Sequence, residues 1–138
     1  MAPMVGDVDT VDPGLHGARF VGFVPVRDLD AARAFYVDRL GLASLEESPF
    51  ALVVDANGTK LRLTPVPEHR AQPFTIAGWD VSDIERTVDA LVASGVEFHR
   101  YEGMDQDARG IWSAPGGDRV AWFADPDGNT LSLTAAPP

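Results

Sequence analysis

The chain runs through the same local plan twice, and this repeat constrains its fold more than any other feature. The segment Val26-Arg-Asp-Leu in the first half matches Val81-Ser-Asp-Ile in the second, with Asp28 and Asp83 standing 55 residues apart. Around each copy, the residue pattern predicts a strand, a helix and then three further strands. Two such halves can place two small curved sheets around a shared cleft, which is where ligands commonly bind.

In the first half, residues 20–26 are apolar and β-branched and predict a strand. Pro25 indicates a sheet edge or a strand end, because it has no N–H group to donate. Asp28 is a good N-cap and Gly41 a good stop for an amphipathic helix of about three turns. Its apolar positions are Leu29, Ala32, Tyr36 and Leu40. Strands are predicted at 42–47, 50–55 and 59–64, the last two joined by a hairpin turn at Asn57-Gly58.

The second half repeats this order. Residues 74–81 predict a strand, and Asp83 caps a helix that Gly95 ends. The helix buries Ile84, Val88 and Leu91 on one face. Further strands are predicted at 96–101 and 111–113 and in the closing hairpin, 119–134.

The closing hairpin turns at Asp125-Pro-Asp-Gly-Asn129. Pro126 fixes φ for a turn, Asp127 is expected to bond its own backbone, and Gly128 accepts a positive φ. In the strand that follows, Leu131 faces the core while its neighbours face a polar or mixed cavity, because side chains alternate along a strand.

The length of 138 residues suits one domain. Residues 1–17 lack periodicity and predict a loose N-terminal tail. The rest, 18–138, predicts a single domain of two modules, 18–65 and 74–134, joined by a proline-rich linker at 66–73. The chain has no cysteine, which excludes disulfides and thiolate metal sites.

Acidic residues number 21 against 11 Lys and Arg, giving a formal net charge of -10. This charge disfavours nucleic acid and anionic membrane as partners, since both attract basic surfaces. The N-terminus shows no secretory signal pattern, and no apolar run approaches the length of a membrane span. A soluble cytoplasmic protein is therefore expected.

Three features together resemble the vicinal oxygen chelate superfamily, the glyoxalase, bleomycin-resistance and extradiol dioxygenase group. They are Val26-Arg-Asp-Leu-Asp-Ala-Ala-Arg-Ala-Phe-Tyr36 with Leu40-Gly-Leu42, the turn Asp125-Pro-Asp-Gly-Asn129, and the repeat itself. The resemblance covers Phe20 to Thr134. It implies an α+β fold of two βαβββ modules forming a partly open curved sheet around a cleft. It also implies a homodimer, with modules pairing within a chain or across the interface.

Most enzymes of that superfamily hold a divalent metal on four inward side chains. The resemblance carries these places onto Val21, Arg62, Ile76 and Ser132. Two of these residues have no donor atom, and Arg62 is cationic and has no lone pair to offer. Divalent metals need several N or O ligands at once. The expectation is a metal-free branch with no cofactor and no metal-dependent activity.

The same places then become candidates for holding an organic ligand. Arg62 needs either an acid partner such as Asp80 or an anionic ligand if it is buried. Trp112, beside an acidic loop at 102–110, is a candidate cavity wall. His99 is interpreted as a surface or pocket-wall residue, with general base as the alternative. The predicted ligand-binding set is Val21, Phe23, Arg62, Ile76, Trp112, Trp122 and Ser132, and no catalytic residue is predicted.

Four hypotheses of function remain open at this point. The first is a dimer that binds a small organic molecule in a metal-free cleft. The second is a metal-independent isomerase or lyase using His99, Asp80 or Glu102 as a general base. The third is a metal-dependent glyoxalase or dioxygenase with ligands at other positions, and the fourth is an interaction module without a ligand. The acidic loop suits a cationic compound and Arg62 an anionic one.

Overall fold

The computed structural model describes residues 11–138. The strands are β1 Val21–Val26, β2 Ala43–Ser48, β3 Ala51–Ala56, β4 Thr59–Pro65, β5 Thr75–Asp80, β6 Trp112–Ser113, β7 Arg119–Ala124 and β8 Thr130–Ala135. The helices are α1 Leu29–Arg33, continuing as π-helical turns over Ala34–Arg39, and α2 Ile84–Ala93; a 3₁₀ turn spans Leu15–Gly17. No helix within residues 11–138 is long and apolar enough to cross a membrane.

The strands form two sheets of the same design. Their orders are β1-β4-β3-β2 and β5-β8-β7-β6. In each sheet the first strand runs parallel to the last and the other pairings are antiparallel. The predicted α+β fold of two βαβββ modules is therefore confirmed, and β1, which contains Pro25, is an edge strand as expected.

The two helix starts confirm the repeat at the level of single hydrogen bonds. The carboxylate of Asp28 accepts from the backbone N–H of Asp30, and that of Asp83 accepts from the N–H of Arg86. Each bond satisfies one of the amide groups that a helix leaves unpaired at its N-terminus. The same cap at an offset of 55 residues thus begins the helix of each module.

The first helix departs from the regular amphipathic helix that the spacing predicted. It widens at Ala34–Arg39, where the N–H of Leu40 donates to the carbonyl of Phe35. The wider turn places Phe35 and Tyr36 side by side in the interior, both buried. The ring of Phe35 lies 6.3 Å from that of Phe123 in the second module, so the widened turn contacts the other half of the protein.

The predicted strand at 96–101 is wrong as a continuous element. Only Phe98 bridges to Phe123, and the N–H of His99 donates to the carbonyl of Trp122. Farther along the same side of β7, Trp112 pairs with Val120. The edge position of the second sheet is therefore filled by two short pieces, and the chain between them leaves the sheet as a loop.

One apolar core is shared by both modules. It joins the helix-facing sides of both sheets to both helices and to Phe98 and Ile111. Because side chains alternate along a strand, the opposite side of each sheet faces away from this core. These two sides, called the outer faces from here on, carry Arg62 and Phe23 on the first sheet and Ser132 and Trp122 on the second.

The turn 125–129 joins the modules. Asp125 is buried, and its carboxylate accepts from the hydroxyl of Tyr36, from Nδ2 of Asn129 and from the backbone N–H groups of Asp127 and Asn129. Burial, followed by the charge of Asp125, raises the pKa of Tyr36. The tyrosine hydroxyl therefore stays protonated and donates across the junction.

Two other residues of this turn also reach into the first module. Nδ2 of Asn129 donates to the carbonyl of Pro25 at 2.9 Å. Asp127 accepts from both the backbone N–H and Nε of Arg27, each at 2.9 Å. The expectation that Asp127 bonds its own backbone is therefore wrong, and Asp125 has that role.

The linker is attached to the same junction. Nε2 of His69 lies 2.7 Å from Oδ1 of Asn129, and the N–H of Val66 donates to the carbonyl of Val26. His69 is half-buried rather than exposed. Of the predicted tail, residues 1–10 lie outside the described part, and residues 11–17 are exposed and contain the 3₁₀ turn.

Candidate ligand-binding site

The outer face of the second sheet has a floor of small side chains. Ser132 on β8 pairs with Gly78 on one side and Trp122 on the other. A Cβ atom at Gly78 would lie 2.4 Å from Oγ of Ser132, so only glycine fits beside this serine. Thr130 and Thr134 continue the floor along β8.

An aromatic pocket of about 420 Å³ lies beside this floor. The ring of Tyr101 stands edge-on to that of Trp122, with centroids 5.5 Å apart and planes at 81°. The ring of Trp112 also lies next to Trp122, with centroids 6.1 Å apart and planes at 35°. The lining is Pro73, Phe74, Thr75, His99, Tyr101, Met104, Trp122 and Thr130.

The loop that interrupts the edge of the sheet, 100–111, supplies two walls of the aromatic pocket, and one glutamine fixes it. Oε1 of Gln106 accepts from the N–H of Tyr101 at 2.7 Å. Its Nε2 donates to the carbonyls of His99 and Gly110 at 3.0 and 2.8 Å. The amide thus ties both ends of the loop together and holds Tyr101 in place against Trp122.

The far end of the loop is held by charged residues. The carboxylate of Asp107 accepts from the N–H groups of Arg109 and Ile111. The guanidinium of Arg109 in turn donates twice to Asp89 on α2, at 2.9 and 3.0 Å, which lowers the pKa of that carboxyl. Both loop ends are therefore anchored to the domain.

The outer face of the first sheet is more open. Phe23 is 67% exposed, and it pairs across the sheet with Arg62, which in turn pairs with Val53. Arg62 is half-buried, and within residues 11–138 no acid lies within ion-pair distance of it. The pairing with Asp80 that would make it a structural residue is not formed.

Two larger grooves lie elsewhere and offer less to a ligand. One, of about 610 Å³, runs between the π-helical segment and residues 95–99, with Phe35 and Phe98 among its walls. The other, of about 650 Å³, lies between the start of α2 and the C-terminal residues 136–138 and has no aromatic wall. The aromatic pocket is smaller, but it has more aromatic side chains in its lining than either groove.

Comparison with known protein families shows which family the chain belongs to. The model described as Glyoxalase/Bleomycin resistance protein/Dioxygenase superfamily matches residues 17–133. The chain belongs to this superfamily. No curated protein resembles it closely enough to count as a match.

Solved structures of the superfamily share the fold. TnmS3, an antibiotic binding protein from Streptomyces sp. CB03234, is 26% identical with a TM-score of 0.65, over 86% of this chain and 95% of that one. A glyoxalase/bleomycin resistance protein from the same organism is 27% identical with a TM-score of 0.61, over 84% and 98%. A protein of the superfamily from Nocardioides has a TM-score of 0.69 at 19% identity, over 94% and 88%, and shows the fold alone.

The superfamily's usual metal places do not fit a metal in this chain. Val21 and Ile76 have no donor atom, Arg62 is a cation, and Ser132 offers one hydroxyl. Within residues 11–138, no group of three or more His, Asp or Glu side chains could hold a metal ion. Hard divalent cations need several oxygen or nitrogen ligands together, so no chemical step is assigned to a metal here.

The structure divides the predicted site residues between the two sheets. Val21, Phe23 and Arg62 share the outer face of the first, and Trp122 and Ser132 that of the second. None of the five main cavities among residues 11–138 is lined by members of both groups. Ile76 lies at an irregularity in the pairing of β5 with β8, and Gly78 stands opposite Ser132 as Phe23 stands opposite Arg62.

Several lining residues were missed from the sequence. Phe74 lies at the end of the linker, and Tyr101 and Met104 lie in the loop 100–111. Phe74 and Tyr101 fall at the ends of the predicted strands 74–81 and 96–101, which the structure shortens or breaks, and Met104 lies in a segment with no periodicity. Trp112, predicted as a wall, supports Trp122 instead. The one usable signal was the number of aromatic residues between Phe98 and Phe123.

Proposed function

We propose that this member of the superfamily binds a small organic molecule, without a metal, in a cleft that a second copy of the chain completes. The aromatic pocket carries the proposal, because converging rings bury apolar area and stack on planar groups. The likeness to an antibiotic binding protein at 26% identity supports it.

The proposal is tested directly by tryptophan fluorescence, since Trp122 lines the pocket. In a set of soluble mono- and bicyclic aromatic compounds, at least one is expected to change the emission saturably, with one molecule bound per chain. If every compound in the set gave only a linear, non-saturating change, the proposal would be contradicted.

Metal independence has its own test. Adding stoichiometric Zn²⁺, Mn²⁺, Ni²⁺ or Fe²⁺ is expected to change the melting temperature by less than about one degree, because a ligand that does not bind the native state cannot stabilise it. The measurement is thermal unfolding followed by circular dichroism, with and without a chelator. A stabilisation of several degrees by any one of these ions would show that ligands exist outside the places considered.

The second copy is proposed from the outer face of the first sheet, where Phe23 is exposed beside half-buried Arg62. Phe23→Glu is expected to weaken self-association at least about tenfold, since it brings a charge into an apolar contact. Sedimentation velocity over a range of concentrations measures this. Val92→Glu, at an exposed apolar position on the helix-covered side, is the matched control and is expected to leave association unchanged. A wild-type chain that stays monomeric at high micromolar concentration would contradict the dimer.

A second candidate function rests on one contact. Nδ1 of His99 lies 3.2 Å from the hydroxyl of Tyr101 at the wall of the pocket. A histidine held beside a ligand can act as a general base, as a metal-independent isomerase or lyase would need. Turnover of a bound compound that is lost in His99→Gln, with binding retained, would favour this function over simple binding.

A further inference from the structure

The walls of the aromatic pocket meet at a corner. Tyr101 and Trp122 stand at 81° to each other, and both line the same cavity. The face of an aromatic ring carries partial negative charge, and perpendicular rings around one cavity attract a positively charged group. Tryptophan is the most effective ring for this interaction and tyrosine is also suitable.

The charges around this corner also favour a positively charged ligand. The lining contains no lysine or arginine. In the loop 100–111, Arg109 is held by Asp89, and the guanidinium of Arg100 donates to the carbonyl of Ala108. Glu102 and Asp105 flank the wall residues Tyr101 and Met104 in the chain and make no hydrogen bond or ion pair among residues 11–138. Two carboxylates without an ion-pair partner therefore stand in the loop that forms the wall, against one guanidinium without such a partner, that of Arg100.

An anionic ligand has no comparable support. Arg62, the residue that would attract one, lies on the first sheet and lines none of the five main cavities among residues 11–138. The net charge of -10 also repels anions from the surface as a whole.

We propose that the aromatic pocket recognises the substituted ammonium group of an organic cation, placed against the faces of Tyr101 and Trp122. The apolar remainder of the molecule lies on Phe74 and Met104, and Glu102 and Asp105 attract the charge on approach. This inference rests on the proposed function, because it names the chemical class of molecule that the metal-free site takes.

Three probes of similar size and different charge test the charge preference. They are phenyltrimethylammonium, its neutral isostere tert-butylbenzene, and benzenesulfonate. By ligand-observed NMR titration, the cation is expected to bind roughly twofold to thirtyfold more tightly than the neutral probe, and the anion most weakly. Equal or tighter binding of the neutral probe would overturn the ammonium preference while leaving organic binding intact. Failure of all three to bind would overturn both.

Substitutions test whether Tyr101, Glu102 and Asp105 cause the preference for the cation. Tyr101→Leu is expected to lower the advantage of the cation over the neutral probe to about half of its value in the parent chain or less, while Tyr101→Phe keeps the ring and the advantage. The double variant Glu102→Gln, Asp105→Asn is expected to weaken only the cation, by a few-fold at low salt and less at high salt, because salt screens exposed charges. A cation affinity that does not change in Tyr101→Leu or in the double variant would overturn the assignment.

Discussion

Asp125→Ala is expected to lower the free energy of unfolding by about 3–6 kcal/mol, because it removes the acceptor of several buried donors and each such loss costs roughly 1–3 kcal/mol. The donors are the hydroxyl of Tyr36, the side-chain amide of Asn129 and the N–H groups of Asp127 and Asn129. Small domains are stable by only about 5–15 kcal/mol, so the variant would lie close to unfolding. Urea unfolding followed by circular dichroism measures the change.

Two further variants show whether the loss of unfolding free energy in Asp125→Ala comes from its buried hydrogen bonds. Tyr36→Phe removes one of the donors and is expected to cost about 1–2 kcal/mol. Asp118→Ala, at an exposed aspartate in the turn before β7, is expected to stay within about 0.5 kcal/mol of the parent chain. If Asp125→Ala cost no more than Asp118→Ala, the turn 125–129 would not be the junction between modules.

Trp122→Ala is expected to weaken the binding of phenyltrimethylammonium at least about thirtyfold, the size of effect seen when a central aromatic anchor is removed. The side chain forms one wall of the corner and contacts the other wall, Tyr101, directly. Its removal therefore deletes one ring and frees the second. NMR titration of the variant against the parent chain measures the loss.

A tryptophan on the opposite face of the same sheet provides the control. Trp79 packs towards the core, with its ring 6.4 Å from that of Phe123. Trp79→Phe is expected to change the affinity by less than about twofold, whatever it does to stability. If both variants lost binding equally, the effect would come from the sheet as a whole and not from the aromatic pocket.

The fold could be predicted from the sequence because its signals are local. The caps at Asp28 and Asp83 and the turn at Asn57-Gly58 each act over a few residues, and the structure reproduces them. The widened helix at Ala34–Arg39 could not be predicted, because burying Phe35 together with Tyr36 requires the second module. The role of Asp125 was missed for the same reason, since its partner Tyr36 lies 89 positions away in sequence.

The candidate site could be predicted only in part. Alternation along β8 placed Ser132 on the outer face, and its pairing with Trp122 agrees with that placement. The walls come from the ends of predicted strands and from a loop, so Phe74 lay where a strand boundary shifted and Met104 had no signal of its own.

Native mass spectrometry of the protein purified from its own source, without added metal or chelator, tests most directly whether an organic molecule takes the place of an ion. The expected result is the added mass of one small organic cation per chain, which is absent from Trp122→Ala prepared in the same way. An added mass equal to one divalent metal ion per chain, with no organic species, would contradict it.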